Sequence, residues 1–200
     1  MLKSGSERRT LVVLSGPSGV GKTTVCDELL KQPGFQRAIT CTTRQRREGE
    51  VDGKDYYFLS HEEFERRVHE GDFLEHAKVH GNLYGVLWQE VLRAGDAGSY
   101  VLLAIDVQGA ATLRRAQQAS SSSTLGRFDI GSTKVITIFL LPPDEETLRQ
   151  RLSGRATETD DQLKVRLTTA ITEMEEKGKF DHVVVNEHVG LTVQAILGCI

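Results

Sequence analysis

The feature that most constrains the fold of this chain is a glycine-rich segment at residues 16–23, with the sequence GPSGVGKT. The apolar run before it, residues 11–14, predicts a buried strand, and residues 24–30 after it predict a helix. A strand, a glycine-rich turn and a helix that opens on Lys-Thr together indicate a phosphate-binding P-loop. We therefore expect a nucleoside triphosphate site at this turn.

The residue types of this segment suit a triphosphate. Its glycines let backbone N–H groups point inward around the phosphates, and the helix N-terminus adds the positive end of its dipole. We expect Lys22 to reach the β and γ phosphates and Thr23 to offer its hydroxyl to Mg²⁺. The predicted triphosphate-binding residues are Gly16, Pro17, Ser18, Gly19, Val20, Gly21, Lys22, Thr23 and Thr24.

The rest of the chain predicts an α/β fold. Apolar runs at residues 11–14, 101–105 and 135–141, with a shorter one at 183–185, indicate strands of a central parallel sheet. Helical patterns between them predict a three-layer P-loop fold. Residues 40–60 are polar and end in Tyr-Tyr-Phe, which indicates a small β-rich insertion.

Three further patterns lie in the C-terminal half. A helix is expected to begin near Asp144, after two prolines. Leu163, Leu167, Ile171 and Met174 recur at helical spacing and predict one apolar face that packs in the core. The serine-rich residues 117–133 predict a flexible loop.

Bulk composition limits the classes of function. The length of 200 residues fits one domain, and the formal net charge of −3 argues against a general nucleic-acid or membrane binder. Three cysteines without metal-like or disulfide-framework spacing fit a reducing compartment. Residues 1–10 carry no apolar stretch, so we expect no signal peptide and a cytoplasmic location.

A second chemistry-bearing segment is residues 40–50, TCTTRQRREGE. Its three arginines and three threonine hydroxyls lie beside a glycine and are suited to gripping a phosphate monoester, because the arginine fork binds phosphate through two nitrogens. A solvated charged loop is the alternative interpretation.

With these residues the chain closely resembles the guanylate kinases, which move a phosphoryl group from ATP to GMP. The resemblance covers almost the whole chain. Its matching motifs, in order, are the P-loop, TTR with Arg47, GE at 49–50, GKDY at 53–56, FLE at 73–75, GN and YG at 81–85, ID and QG at 105–109, RL and GR at 151–155, TET at 157–159, and VVN at 184–186.

The resemblance implies a role for each matching residue. Glu75 would accept from guanine N1 and N2, Thr40 would contact O6, and Asn186 would contact the adenine of ATP. The implied GMP-binding residues are Thr40, Arg44, Arg47, Tyr56, Glu75 and Tyr84. The implied catalytic residues are Lys22, Arg44, Arg151, Arg155 and Arg166, the last three from a lid. The implied Mg²⁺ ligands are Thr23 and, through water, Asp106, for which a helix cap is the alternative.

The resemblance also implies an organisation into lobes that close on substrate, in a monomer or homodimer. The expected divisions are an N-terminal tail at 1–9, a core at 10–39, 97–143 and 167–200, a GMP-binding lobe at 40–96 and a lid at 144–166.

Two positions depart from the family pattern. Val86 stands where the family usually has Ser or Thr, and Ala104 stands where it usually has Asp or Glu. Two polar contacts to the base are therefore expected to be missing, while the phosphate grip is kept. Two alternatives to GMP phosphorylation follow: another acceptor, either a different nucleoside monophosphate or a phosphorylated ribose, or a non-catalytic guanylate-kinase-like binding domain.

Overall fold

The computed structural model describes residues 9–79, 81–119, 133–153 and 160–200. The strands are β1 Thr10–Ser15, β2 Phe35–Arg37, β3 Thr40–Thr42, β4 Tyr57–Phe58, β5 Phe73–Val79, β6 Asn82–Leu87, β7 Tyr100–Ala104, β8 Lys134–Leu141 and β9 His182–Val185. The helices are α1 Lys22–Leu29, α2 His61–His69, α3 Trp88–Ala97, α4 Val107–Ala119, α5 Glu145–Ser153, α6 Asp160–Glu175 and α7 Val189–Leu197, with a 3₁₀ turn at Glu176–Lys179.

The larger sheet is parallel throughout and has the strand order β2-β7-β1-β8-β9. This confirms the predicted α/β class with a central parallel sheet, and the four predicted strands are found within one residue of their expected ends. Because β1 is the middle strand, the turn that follows it opens at the carboxyl edge of the sheet, where α/β folds bind ligands.

Side chains alternate between the two faces of this sheet, and each face is covered by an apolar layer. Leu11 and Val13 of β1 belong to one layer, and Val12 and Leu14 belong to the other. Strands that are buried on both faces need continuous apolar runs, which is the pattern that the sequence showed.

The smaller sheet has the order β4-β3-β6-β5 and lies wholly between residues 40 and 87. Its outer face packs on α2, where Phe64 stacks on Phe73 with ring centroids 4.4 Å apart. On its inner side, Leu74 and Val86 join the same apolar layer as Leu11. Helix α3 contacts β6 and also the core strands β2 and β7, so the insertion is packed firmly against the core.

Two expectations for the helices need correction. In α6, Leu167 and Met174 pack against the buried Ala170 as the predicted stripe requires, but Ile171 is 42% exposed and does not belong to the buried face. The predicted loop at 117–133 begins later, because α4 continues to Ala119; residues 120–132 lie outside the described residues. No helix in the described parts of the chain is long and apolar enough to cross a membrane.

Candidate active site

A cleft of about 450 Å³ separates the P-loop from the smaller sheet. It brings together almost every residue that the sequence analysis singled out. Its lining contains residues 16–24 of the P-loop and also Thr40, Arg44, Arg47, Tyr56, Glu75, Tyr84, Asp106, Arg151 and Arg166. Arg44 and Arg47 thus face the same cleft as the P-loop, as a transfer between two bound nucleotides requires.

The P-loop depends on glycines at points of close approach. Gly16 has φ 142°, and a Cβ there would lie 2.5 Å from the carbonyl oxygen of Leu140. Gly21 has φ 98° and caps the N-terminus of α1, directly before Lys22. The Lys22 ammonium group lies over the loop and donates hydrogen bonds to the carbonyl oxygens of Gly16 and Pro17. The loop therefore holds its lysine above the concave face that phosphates would occupy.

Asn186 lies behind the P-loop rather than in the cleft lining. It is buried, its Nδ2 donates to the carbonyl oxygen of Val20 at 2.8 Å, and its Oδ1 accepts from the Thr192 hydroxyl at 3.0 Å. Its side-chain amide therefore stabilises the P-loop through the hydrogen bond to Val20. The adenine contact implied for Asn186 stays a prediction.

Two of the three arginines expected in the lid, Arg151 and Arg166, contact the P-loop. Arg151 donates to the carbonyl oxygens of Val20 and Asn186, each at 3.2 Å, and Arg166 donates to the Ser18 hydroxyl at 3.0 Å. Helices α5 and α6 hold these arginines by packing through Leu148, Leu152 and Ala170. Arg155 lies outside the described residues.

Arg44 is held in place by a carboxylate and by aromatic rings. Its Nη2 donates to Glu50 Oε1 at 2.7 Å, and its guanidinium carbon lies 5.5 Å from the Tyr56 ring centroid. The second oxygen of Glu50 accepts from the Arg47 N–H at 2.8 Å. Burial alone would lower the pKa of Arg44, but the hydrogen bond and charge of Glu50 outweigh burial and raise it. Arg44 is therefore a fixed cation, held by the Glu50 carboxylate and by the carbonyl oxygen of Gln45.

The two tyrosines of this grip lie edge to face, with ring centroids 6.2 Å apart. Burial and the neighbouring Tyr84 raise the pKa of Tyr56, so its hydroxyl stays protonated and can donate. Two arginines and two phenol hydroxyls at one end of the cleft suit a phosphate dianion.

A row of three side chains crosses the smaller sheet, and its two outer members, Thr40 and Glu75, line the cleft. Thr40 on β3 pairs with Val86 on β6, and Val86 pairs with Glu75 on β5. Directly opposed residues of antiparallel strands point to the same face, so Val86 stands between the Thr40 hydroxyl and the Glu75 carboxylate. Val86 is fully buried, and Thr40 Oγ1 has no hydrogen-bond partner among the described residues. The Thr40 hydroxyl therefore lies beside the cleft with no partner in the described parts of the chain.

Glu75 is only 4% exposed. Burial, with a smaller contribution from the charge of Asp106, raises its pKa to about 8, although the Val86 N–H hydrogen bond opposes this. A Cβ at Gly109 would collide with the Glu75 carboxylate, so glycine at that position makes room for it. Ala104, the other departure, also lines the cleft and packs against the apolar layer that contains Leu14.

Asp106 caps α4. Its Oδ1 accepts from the backbone N–H groups of Gln108 and Gly109 at 2.7 and 3.0 Å. The helix-cap alternative is thus correct for this oxygen, while Asp106 also lines the cleft across from the P-loop residue Thr23. A hydroxyl and a carboxylate oxygen are ligand types that fit Mg²⁺, which prefers oxygen and few protein ligands when a nucleotide supplies the others.

Two residues with clear contacts in the site received no role in the sequence analysis. Glu50 positions Arg44 through a hydrogen bond. The sequence feature that could have indicated this role is that Glu50 lies only a few residues after the arginines. Glu173 lines the cleft and accepts from the Ser18 N–H at 3.2 Å. Glu173 follows Arg166 by seven residues, which is two helical turns, so the helix period alone places both side chains on one face.

A P-loop and an arginine-bearing grip that face each other across one cleft define the class: this is a P-loop phosphotransferase fold with a donor side and an acceptor side. The family model for guanylate kinase matches residues 8–200. The chain belongs to the guanylate kinase family.

Individual relatives agree over nearly the whole chain. The guanylate kinase of Clostridium tetani is 42% identical over 190 residues, which is 95% of this chain and 84% of that protein. The guanylate kinase of Chlorobaculum tepidum is 41% identical over 93% of this chain and 89% of that protein. The crystal structure of guanylate kinase from Anaplasma phagocytophilum superposes with a TM-score of 0.73 at 33% identity, covering 96% of this chain and 85% of that one.

Proposed function

We propose that this chain catalyses the transfer of the γ-phosphoryl group of ATP to GMP, giving ADP and GDP, in purine nucleotide metabolism. The observation that carries the proposal is the single cleft in which the P-loop faces Arg44, Arg47, Tyr56 and Tyr84. The relatives named above support GMP as the acceptor, since each is named a guanylate kinase. They favour this function over a phosphorylated ribose acceptor and over a non-catalytic binding domain.

The proposed chemistry is electrostatic. Phosphoryl transfer needs in-line placement of its reactants and positive charge around the transferring oxygens, with little covalent help from the protein. Lys22 supplies charge from the donor side, Arg44 from the acceptor side, and Arg151, Arg155 and Arg166 from the lid. The acceptor phosphate is already anionic, so no side chain has to remove a proton from it.

Thr23 and Asp106 are the proposed Mg²⁺ residues. When bound with ATP, Mg²⁺ supplies charge that neutralises the β and γ phosphate oxygens. Thr23 would offer its hydroxyl from the start of α1, and Asp106 would act through water with the carboxylate oxygen that does not cap α4.

The acceptor base would lie against Thr40 and Glu75, which both line the cleft. The buried Thr40 hydroxyl supports this placement, because a ligand oxygen would satisfy a group that otherwise has no partner in the described chain. In its ionised form Glu75 would accept from the guanine N–H donors. Asn186 is proposed to contact the adenine of ATP, and its hydrogen bond to the P-loop residue Val20 supports a role on the donor side.

The proposed working units are the P-loop core at 10–39, 97–143 and 167–200, the GMP-binding lobe at 40–96 and the lid at 144–166, with a tail at 1–9. The two phosphate grips lie on different units, so substrate binding would close them and exclude water. A cytoplasmic location and a monomer or homodimer complete the proposal.

The test is a coupled assay of ADP release with Mg-ATP and GMP, with GDP identified by chromatography. The protein should turn over GMP, and Lys22→Ala should lower kcat by roughly 100-fold or more while leaving the circular dichroism spectrum unchanged. Glu65→Gln, an exposed change on α2, serves as the matched control. Absence of GDP with the wild-type protein would refute the proposed function.

A further inference from the structure

The two sheets are joined by a link of two residues, Ala38 and Ile39, between β2 and β3. The Ala38 N–H donates to the carbonyl oxygen of Leu102 in the core sheet at 3.1 Å. The Ile39 N–H donates instead to a side chain, Glu90 Oε2 of α3, at 3.0 Å. Thr40 follows directly and lines the cleft. The place of Thr40 relative to the P-loop therefore depends on a link that a carboxylate holds.

The Glu90 carboxylate accepts hydrogen bonds from three parts of the chain: the link, β4 and its own helix α3. Besides the Ile39 N–H, it accepts from the Tyr57 hydroxyl of β4 at 3.1 Å and from Arg93 Nε and Nη2 at 3.0 and 2.8 Å. Arg93 Nη2 also donates to the carbonyl oxygen of Arg37 at the end of β2, at 2.9 Å. The carboxylate thus binds the link, β4 and, through Arg93, the last residue of the core strand.

This carboxylate is 5% exposed, and its surroundings favour its ionised form. Burial alone would raise the pKa of Glu90, but the hydrogen bonds from Arg93, from the Ile39 N–H and from Tyr57, together with the charge of Arg93, outweigh burial and lower it. A buried carboxylate with its donors in place holds them more rigidly than a neutral group does, because charge-assisted hydrogen bonds are shorter and stronger.

We propose that Glu90 is a positioning residue of the acceptor site, which fixes Thr40 and β4 relative to the core sheet by binding Ile39, Tyr57 and Arg93 together. The inference rests on the proposed function, because it assigns Glu90 to the acceptor half of that reaction. Tyr57 adjoins Tyr56 of the phosphate grip, so Glu90 supports both ends of the acceptor site at once.

The hydrogen-bond partners of Glu90 named above belong to β4, α3 and the segment from Arg37 to Ile39, and none belongs to the P-loop. A loosened link should therefore displace the acceptor groups and leave the donor groups in place. A change that merely destabilised the fold would instead weaken the binding of ATP and of GMP together.

Glu90→Gln is the test variant, because it keeps the shape of the side chain. Its amide nitrogen would meet a donor, Arg93, Tyr57 or the Ile39 N–H, so the set of hydrogen bonds cannot be completed. We expect the Kd and KM for GMP to rise about tenfold, with the KM for ATP within about twofold and kcat within about threefold of the wild-type values. Calorimetry of GMP binding gives the Kd independently of turnover.

Tyr57→Phe is the second variant and Glu62→Gln the control. Tyr57→Phe removes one hydroxyl donor and keeps the ring, so we expect the KM for GMP to rise about two- to threefold. Glu62 is likewise an acidic residue in the first turn of a helix, but it is exposed on α2, and its change should leave both KM values unaltered.

An unchanged GMP affinity in Glu90→Gln, or parallel increases in the KM for ATP and for GMP, would overturn the inference. If Glu90→Gln does not fold, Tyr57→Phe decides the matter, and a GMP affinity equal to that of the wild type would count against Glu90. A wild-type protein that binds GMP without making GDP would refute the proposed function and leave the binding comparison valid.

Discussion

The buried Glu75 carboxyl group should make the free energy of unfolding decrease as pH rises, and Glu75→Gln should remove much of that pH dependence. Burial raises its pKa from the ordinary 4.5 to about 8 in the folded protein. Between these values the native state holds a proton that the unfolded chain has released. Stability therefore decreases with increasing pH across this window, and the loss is complete above the folded pKa.

The size of the effect follows from the same two values. The pKa difference between 4.5 and about 8 corresponds to a loss of roughly 4–5 kcal/mol of unfolding free energy when the pH is raised from below the lower value to above the higher one. Glu75→Gln carries no ionisable group there, so its stability relative to the wild type should rise between pH 5 and pH 8.5, by several kcal/mol at most.

The assay is urea unfolding without nucleotide at pH 5, 6.5 and 8.5, for the wild type, Glu75→Gln and the exposed control Glu65→Gln. Only the difference between each variant and the wild type is used, because other groups titrate in both. A difference for Glu75→Gln that stays constant within about 1 kcal/mol over this range would refute the reasoning. The Glu65→Gln control measures the effect of removing an exposed carboxyl group under the same conditions.

Three further predictions concern neighbouring parts of the structure. Glu50→Gln should raise the KM for GMP about tenfold, because it releases Arg44, and steady-state kinetics with GMP varied would check it; an unchanged KM would mean that Arg44 needs no such support. Gly109→Ala should weaken GMP binding measured by calorimetry, because the added Cβ would displace the Glu75 carboxylate; normal affinity would show that the carboxylate can move freely. Leu152→Ala should lower the unfolding free energy by about 2–5 kcal/mol in urea titrations, since the side chain is fully buried between α5, α6 and the P-loop, and a loss below about 1 kcal/mol would contradict that packing.

The strands of the central sheet could be predicted because burial on both faces imposes a continuous apolar run. The P-loop could be predicted because its glycines and its lysine are needed at fixed positions. Strand β2, by contrast, has three residues and one buried side chain, which is too short a pattern to separate from a loop. Helices α2 and α3 were not predicted individually, although they lie within the inserted lobe expected at residues 40–96.

The acceptor grip illustrates a different limit. Sequence pattern and resemblance together indicated Arg44 and Glu75, but not the side chains that hold them. Glu50 and Gly109 act through contacts that depend on how the small sheet packs against α4 and on a local turn. The interior place of Val86 also depends on register, because a shift of one residue would have turned it toward the opposite face.

The most direct test of the account compares acceptors in the coupled ADP-release assay with Mg-ATP. GMP, dGMP, AMP, CMP, UMP and ribose 1,5-bisphosphate would be supplied in turn, and kcat/KM measured for each. The account predicts a strong preference for GMP and dGMP, with Thr40 and Glu75 sufficient to select guanine despite Val86 and Ala104. A preference for another acceptor, or turnover of none, would contradict it.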